Sequence, residues 1–406
     1  MINEVLPIDG WEACGLDYTG EGVLVKYKHV DLAYLLCPHD RLPGPSIHRR
    51  YLVQVRDLPV GIHHTTLEIE VLECWCYKCE KFHSIRPPEL HFSMGMTWRL
   101  MWHISWLVKE GSPVDVARSL GLSVSSVRRA NKAVLEVLDF LIPARLDGLD
   151  AIVVDEKYLG KRLKFITVVS DKHGQLLYIG KGKGQGSLKG FFDMLTEQQK
   201  SAIKVVGADR SNAYTKAVEE HLPHADICYD HFHIVQNLND AVTRVRRAEF
   251  KRNDPGSKVL KGSRYLFLSN PENLDERGRE RLEKLLKLNA NINKAYMLKE
   301  DLRHMYTLKD EQEAARHLAN WAKMAGESGL KPFVTLAKTL SAQARAVLGY
   351  FRHGLTSGVI EGLNSKIAKI QFQVQGISSI RLLYLKLRES TCKEFRERLM
   401  PICAQS

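Results

Sequence analysis

The chain has 406 residues, 44% of them hydrophobic and 26% charged, with a formal charge of +12 at pH 7. That length corresponds to two to four domains at roughly 100–200 residues each, and the composition excludes both wholesale disorder and a fibrous repeat. The excess of 59 Lys and Arg over 47 Asp and Glu points to a polyanionic partner, nucleic acid first. Residues 1–15 carry Glu4, Asp9 and Glu12 and lack a basic start, so no secretory signal is expected. The most apolar run, 94–108, is broken by Arg99 and His103 and falls short of a membrane span. A cytoplasmic protein with no membrane partner is therefore expected, and in a reducing compartment its eight cysteines point to metal or burial before disulfides.

Residues 1–92 read as a β-rich module, with alternating stretches at 23–28, 51–55 and 65–74 separated by turns such as Leu42-Pro-Gly-Pro45. Cys74, Cys76 and Cys79 crowd together near its end, and Cys37-Pro-His-Asp40 lies upstream. Only one Cys-x-x-Cys knuckle, Cys76 to Cys79, is intact. With Cys37, either His39 or Asp40 would complete a tetrahedral zinc site, because imidazole and carboxylate both bind zinc. The plain alternative is a ribbon with free thiols.

From 93 to 146 the period turns helical, punctuated by Pro113, Gly121 and Pro143. Residues 112–132 have helix-turn-helix spacing. Val116, Ala117 and Leu120 face the partner helix, Gly121 supplies the turn, and Ser123 caps a second helix whose Val124, Val127 and Val134 pack inward. Ser125, Ser126, Arg128, Arg129 and Lys132 are left for DNA, although many helix pairs of this spacing touch none.

Residues 147–245 read as strands at 151–154, 165–169 and 176–179, a helix at 188–195, a strand at 203–206, a helix at 212–221, a strand at 227–229 and a helix from 232 to 247. This alternation predicts an α/β domain with a mixed sheet and covered faces. Residues 246–345 are almost wholly helical in pattern, and 346–406 add two helices around Val359 and Leu383. The Gly-rich stretch 180–186 matches neither a dinucleotide fingerprint nor a P-loop.

Three aspartates follow apolar strand candidates: Asp155, Asp209 and Asp230. The helix between the last two strands makes a crossover, which places Asp209 and Asp230 at one sheet edge. Each could equally start a turn or cap a helix. Glu361 stands on a helix whose stripe is Ile360, Leu363, Ile367 and Ile370, with Asn364 and Ser365 to the other side. A glutamate there could simply offset the helix dipole. Clustered carboxylates in a basic protein have another use, since hard oxygens bind Mg²⁺ or Mn²⁺, and two such ions clamp the attacking and leaving oxygens of phosphoryl transfer.

The blocks Val154-Asp-Glu-Lys-Tyr-Leu-Gly160, Gly207-Ala-Asp-Arg-Ser-Asn-Ala-Tyr214, Tyr229-Asp-His-Phe-His-Ile-Val235 and Ser357-Gly-Val-Ile-Glu-Gly-Leu-Asn364 resemble the ISL3 family of insertion-sequence transposases, in that family's order and over nearly the whole chain. The resemblance implies an RNase H-like α/β catalytic domain in two parts, 147–245 and 346–406, around a helical insertion at 246–345. A zinc-ribbon-like module and a helix-turn-helix precede it. It further implies a DDE triad of Asp155, Asp209 and Glu361 holding Mg²⁺ or Mn²⁺, with carboxylates converging within a few Å. The Asp230 and His233 of a D-x-x-H motif would orient the site. Separations of 54 positions from Asp155 to Asp209 and 152 on to Glu361 agree with that insertion. The family pattern has a cysteine where this chain has Asp40.

The implied function is a transposase acting as a homo-oligomer on double-stranded DNA. It would bind terminal inverted repeats and cut and join element ends and target. Beside it stand a catalytically inactive or domesticated sequence-specific DNA-binding protein and an RNase H-like nuclease. Arg244, Arg246 and Arg247 begin a basic run that reaches Arg264 and is well sited for DNA phosphates, with a solvated helix face as the plain alternative.

Overall fold

The computed structural model describes residues 6–20, 22–30, 37, 45–209, 211–251, 260–355, 358–373 and 379–399. They form two compact units, each described separately: 144–368 is the core of one, and residues up to 143 together with 381–399 make most of the other.

In the first-mentioned unit, β8 (Ala151–Tyr158), β9 (Phe165–Asp171) and β10 (Leu176–Lys181) form an antiparallel meander. On the other side of β8, β11 (Val205–Ala208) and β12 (Asp226–Tyr229) run parallel to it. The strand order is β10-β9-β8-β11-β12, a mixed sheet. Helices α4 (Gln185–Met194), α5 (Glu197–Ala202) and α6 (Asn212–His221) supply the crossovers. The apolar runs are strands because both faces are covered. On one face Ile152, Val154, Val169 and Val206 pack with Leu188, Phe191, Phe192 and Val218. On the other, Ala151, Val205 and Cys228 meet Tyr350 and Leu355.

The chain then becomes helical: α7 (His231–Phe250), α8 (Arg264–Leu268), α9 (Glu276–Leu288), α10 (Ala290–Met305), α11 (Glu311–Glu327) and α12 (Lys331–Ala342). Their shared core is built around Trp321, Phe333, Phe267 and Leu302. Helix α13 (Ala344–His353) returns to the sheet, and it approaches closely because Gly349 has no Cβ: one added there would sit 3.1 Å from the Cys228 Cα. Asp226 fastens it, accepting from Arg345 Nη2 at 2.6 Å, Arg352 Nη1 at 3.1 Å and His353 Nε2 at 3.0 Å. Burial alone would raise the Asp226 carboxyl, but these donors outweigh it and hold it down at about 2. Helix α14 (Gly358–Gln373) follows.

The other unit carries a sheet of seven strands: β1 (Trp11–Thr19), β2 (Gly22–His29), β3 (Pro45–Val60), β4 (His63–Cys76), β5 (Lys81–Ile85), β6 (Leu90–His91) and β7 (Met96–Thr97). Their order is β1-β2-β4-β3-β7-β6, with β5 added to β4. Alternation along β4 from His63 to Val71 puts Leu67, Ile69 and Val71 inside, and the phase changes at Leu72. Next come α1 (Trp98–Glu110), α2 (Pro113–Leu120) and α3 (Val124–Leu141). Ser112 caps α2, Gly121 turns the chain at φ 58, and Ser123 caps α3 by accepting from Ser126 N. Arg56 ties the sheet to this helix pair by donating to Leu120 O at 2.9 Å.

Helices α15 (Ile380–Thr391) and α16 (Lys393–Leu399) close this unit. Sequence reading grouped 346–406 with the catalytic part. In the structure Leu385, Cys392 and Phe395 lie in one core with Leu100, Val127 and Leu135, and Arg388 donates to Ile142 O at 2.5 Å. Their apolar stripe is completed by helices more than 200 positions upstream, a pairing that leaves no local trace in sequence. Among the described residues, no helix is long and apolar enough to cross a membrane.

Candidate active site

The parallel register sets the geometry. Val154 pairs with Ala208, and Ala208 with Tyr229, so Asp155, Asp209 and Asp230 are the next residues of three adjacent strands. Neighbouring strands lie roughly 4.8 Å apart, and the three side chains form a row with Asp209 in the middle. The backbone ladder extends into this row, since Asp230 N donates to Ala208 O at 3.2 Å. Asp155 lies within β8 and not just past its end, because pairing with β9 continues through Asp155↔Val168 to Tyr158↔Phe165.

Capping and turn formation are real for two of the three. Asp209 Oδ1 accepts from Ser211 N at 3.0 Å, and Asp230 Oδ1 from Phe232 N at 3.1 Å. Each bond fixes one carboxylate oxygen and holds the rotamer, leaving the second oxygen unused by the turn. The structural and functional readings are therefore compatible in one residue.

Asp155 is held differently. Its Oδ2 accepts from Asn364 Nδ2 of α14 at 2.8 Å. Beneath this bond Leu363 and Ile367 share a small cavity with Val153, Val168 and Ser170. Glu361 stands three residues before Asn364, hence on the same helical face, and is exposed. Leu363, Ile367 and Ile370 are buried, as the stripe predicts, whereas the Ile360 side chain lies outside the described residues. His233 Nε2 is 4.0 Å from Asp230 Oδ2, and His231 Nδ1 is 3.7 Å from Asp230 Oδ1.

Burial raises the carboxyls of Asp155, Asp209 and Asp230 above the ordinary carboxylate range. Repulsion adds to this: Asp230 acts on Asp155, Asp155 and Asp230 act on Asp209, and Glu361 acts on Asp230. His233 relieves all three. All four acids thus share one electrostatic field. Among the described residues no three of them bring ligand oxygens within 4.8 Å of one another. Hard oxygen donors, half-buried at Asp155 and Asp209 and short of positive charge, are a donor set that fits Mg²⁺ or Mn²⁺.

Three thiols do converge. The Sγ atoms of Cys37, Cys76 and Cys79 lie within 4.8 Å of one another. Soft sulfur donors in this number fit zinc. Asp40 and His39 lie outside the described residues, as do 252–259 of the basic run.

The other sequence candidates fall on surfaces. Ser125, Arg128, Arg129 and Lys132 are exposed on α3, with Ser126 half-buried. Arg129 also donates to Ser93 O at 3.3 Å, and Lys132 pairs with Glu136 at 3.5 Å. Arg244 and Arg247 are exposed on α7, while Arg246 is half-buried and donates to Leu260 O at 3.3 Å. Sequence reading left the roles of Asn364 and His83 unassigned. Asn364 had one signal, its place three residues after Glu361, but its partner lies 209 positions away.

The family model for ISL3-type DDE transposases, described as "Transposase", matches residues 152–387. Over 392 residues, 94% of this chain and 96% of that protein, the sequence is 29% identical to the transposase for insertion sequence element IS1001 of Bordetella parapertussis. It is 31% identical over 248 residues, 55% of this chain and 56% of that protein, to the transposase for insertion sequence element IS1557 of Mycobacterium tuberculosis.

Proposed function

We infer the reaction from a plain premise: the chain belongs to the ISL3 family of transposases. It acts as a DDE transposase in the cytoplasm, binding the terminal inverted repeats of an insertion sequence and cutting and joining DNA strands at element ends and target, as a homo-oligomer on the DNA. The observation that carries this reading is the row of Asp155, Asp209 and Asp230 on three adjacent strands, with Asn364 joining Asp155 to the helix of Glu361. The strand order, an antiparallel meander with two parallel strands added beside its first strand, supports an RNase H-like domain interrupted by the helices between 246 and 345.

Asp155, Asp209 and Glu361 are the ligand set for two Mg²⁺ or Mn²⁺ ions. When bound, that pair supplies activation of the attacking hydroxyl and charge neutralisation at the leaving oxygen. Ser211 N–H and Asn364 hold Asp209 and Asp155 in fixed rotamers, so little reorganisation remains for catalysis. Asp230 caps α7 and, with His233, orients the site and the scissile strand. The protein contributes no covalent nucleophile. Helix α3 presents Ser125, Ser126, Arg128, Arg129 and Lys132 to the element end, and Arg244, Arg246 and Arg247 hold backbone phosphates. The thiol cluster binds zinc and stiffens the end of the β4–β5 hairpin.

Purified full-length protein with Mn²⁺ and DNA bearing its own element ends is expected to nick and join strands, whereas Asp155→Ala binds the same DNA without cutting it. Equal cutting by Asp155→Ala overturns the ligand assignment. Cutting without joining supports the nuclease reading. Binding without cutting by both proteins supports the non-catalytic one.

A further inference from the structure

The thiol cluster has three donors, and the register of its hairpin supplies a fourth. β4 and β5 pair Cys76 with Lys81 and Cys74 with His83, so all four side chains project from one face of the hairpin. The tight turn between the strands, with Glu80 at φ 51, separates Cys79 from His83 by only four residues. His83 Nε2 lies 2.9 Å from Cys79 Sγ and 3.6 Å from Cys37 Sγ, and those two sulfurs are 3.6 Å apart.

A tetrahedral zinc site makes definite demands on these distances. With Zn–S near 2.3 Å and Zn–N near 2.0–2.1 Å, sulfur–sulfur edges are roughly 3.8 Å and sulfur–nitrogen edges roughly 3.6 Å. The Cys37–Cys79 and Cys37–His83 separations lie close to these edges. The Cys79–His83 contact is shorter, and His83 stands outside the group of three sulfurs that lie within 4.8 Å of one another, so its imidazole must turn away from Cys79 and toward Cys76 by about 1 Å or more to close the tetrahedron. Charge favours the same residue. Zinc with three thiolates carries −1, which a neutral imidazole leaves unchanged and a carboxylate raises to −2. Cys37 and Cys76 are 0% and 3% exposed, so the smaller charge costs less to bury.

We propose that His83 is the fourth ligand of a Cys37, Cys76, Cys79 and His83 zinc site, in the place that sequence reading left to His39 or Asp40. The proposal rests on the reading that this cluster binds metal. It implies that the ribbon is closed by a residue of its own hairpin, ligating through Nε2 with the proton on Nδ1. The break in the Cys37-x-x-Asp40 knuckle then costs the site no ligand.

Zinc content of the full-length protein, and the visible spectrum after Co²⁺ replacement, test this without reference to activity. One zinc per chain is expected in the wild type. His83→Cys is expected to retain it and to shift the cobalt bands toward those of a four-thiolate site. His83→Ala should weaken zinc at least about tenfold in competition with a chromogenic chelator, and Asp40→Asn should change neither quantity. An unshifted cobalt spectrum in His83→Cys, or loss of metal in Asp40→Asn while both His83 variants keep it, overturns the proposal. A wild-type chain that takes up neither zinc nor cobalt overturns the metal reading itself.

Discussion

The carboxylate row and the thiol cluster are built by opposite means. Cys76 and Cys79 are brought together by a tight turn, with Cys37 added from upstream, and their soft donors stand within 4.8 Å of one another. Asp155, Asp209 and Asp230 come from three strands whose register aligns them, Glu361 comes from a helix, and among the described residues no three of their oxygens stand within 4.8 Å of one another. An unperturbed thiol is mostly uncharged at neutral pH, so thiols tolerate close contact, whereas half-buried carboxylates repel. A structural site can thus be closed in advance. A site for exchanging DNA strands is better left open, with rotamers fixed and charge in excess.

Four experiments would break or sharpen that contrast. The largest effect is expected from Asp209→Asn, which removes the middle carboxylate of the row: strand cleavage should fall by more than the roughly 10–100-fold typical of outer-shell partners, while zinc content stays unchanged. Retained cleavage would show that Asp230 takes the ligand's place.

Asn364→Ala comes next, with a loss of roughly 10–100-fold in strand cleavage. Its tell-tale is a raised Mn²⁺ concentration for half-maximal rate, since Asp155 loses the bond that orients it. A variant with unaltered metal dependence would reduce that bond to packing.

A stability measurement addresses the charge excess. Asp155, Asp209 and Asp230 have carboxyls raised by burial and mutual repulsion, so folding favours their protonated forms. Their contribution is present below the unfolded carboxylate pKa and is lost as pH rises through the raised values. At neutral pH, Mg²⁺ or Mn²⁺ should therefore raise the melting temperature, by the equivalent of about 2.7 kcal/mol at a hundredfold excess over Kd, and the shift should shrink in Asp209→Asn and at acidic pH. An equal shift in both proteins would place the ion elsewhere.

The smallest effect is expected from Cys74→Ala. Cys74 is buried on the same hairpin face as Cys76 but stands outside the thiol cluster. Its loss should cost about 1 kcal/mol of stability by denaturant titration and leave zinc stoichiometry at the wild-type value. A lost zinc would redraw the ligand set.

Much of this molecule was legible in its residues because the signals are local. Gly121 and Ser123 mark a helix pair through turn and cap chemistry that acts over three or four positions, and the structure forms both. Apolar runs at 151–154 and 227–229 announced strands with an aspartate directly after each, while the run at 203–206 announced a strand that forms two positions later, at Val205–Ala208, and so ends next to Asp209. The Cys76 to Cys79 knuckle was visible for the same reason. The crossover helix already placed Asp209 and Asp230 at one sheet edge, but tertiary structure alone decided that β8 pairs with β11 and so set Asp155 in the same row. It also decided that Asn364 reaches Asp155, that His83 faces the thiols, and that Leu385 and Phe395 join the core of Leu100 and Val127. Each of these depends on pairing register or on docking between distant segments, and such contacts impose no period and no spacing that a single sequence displays.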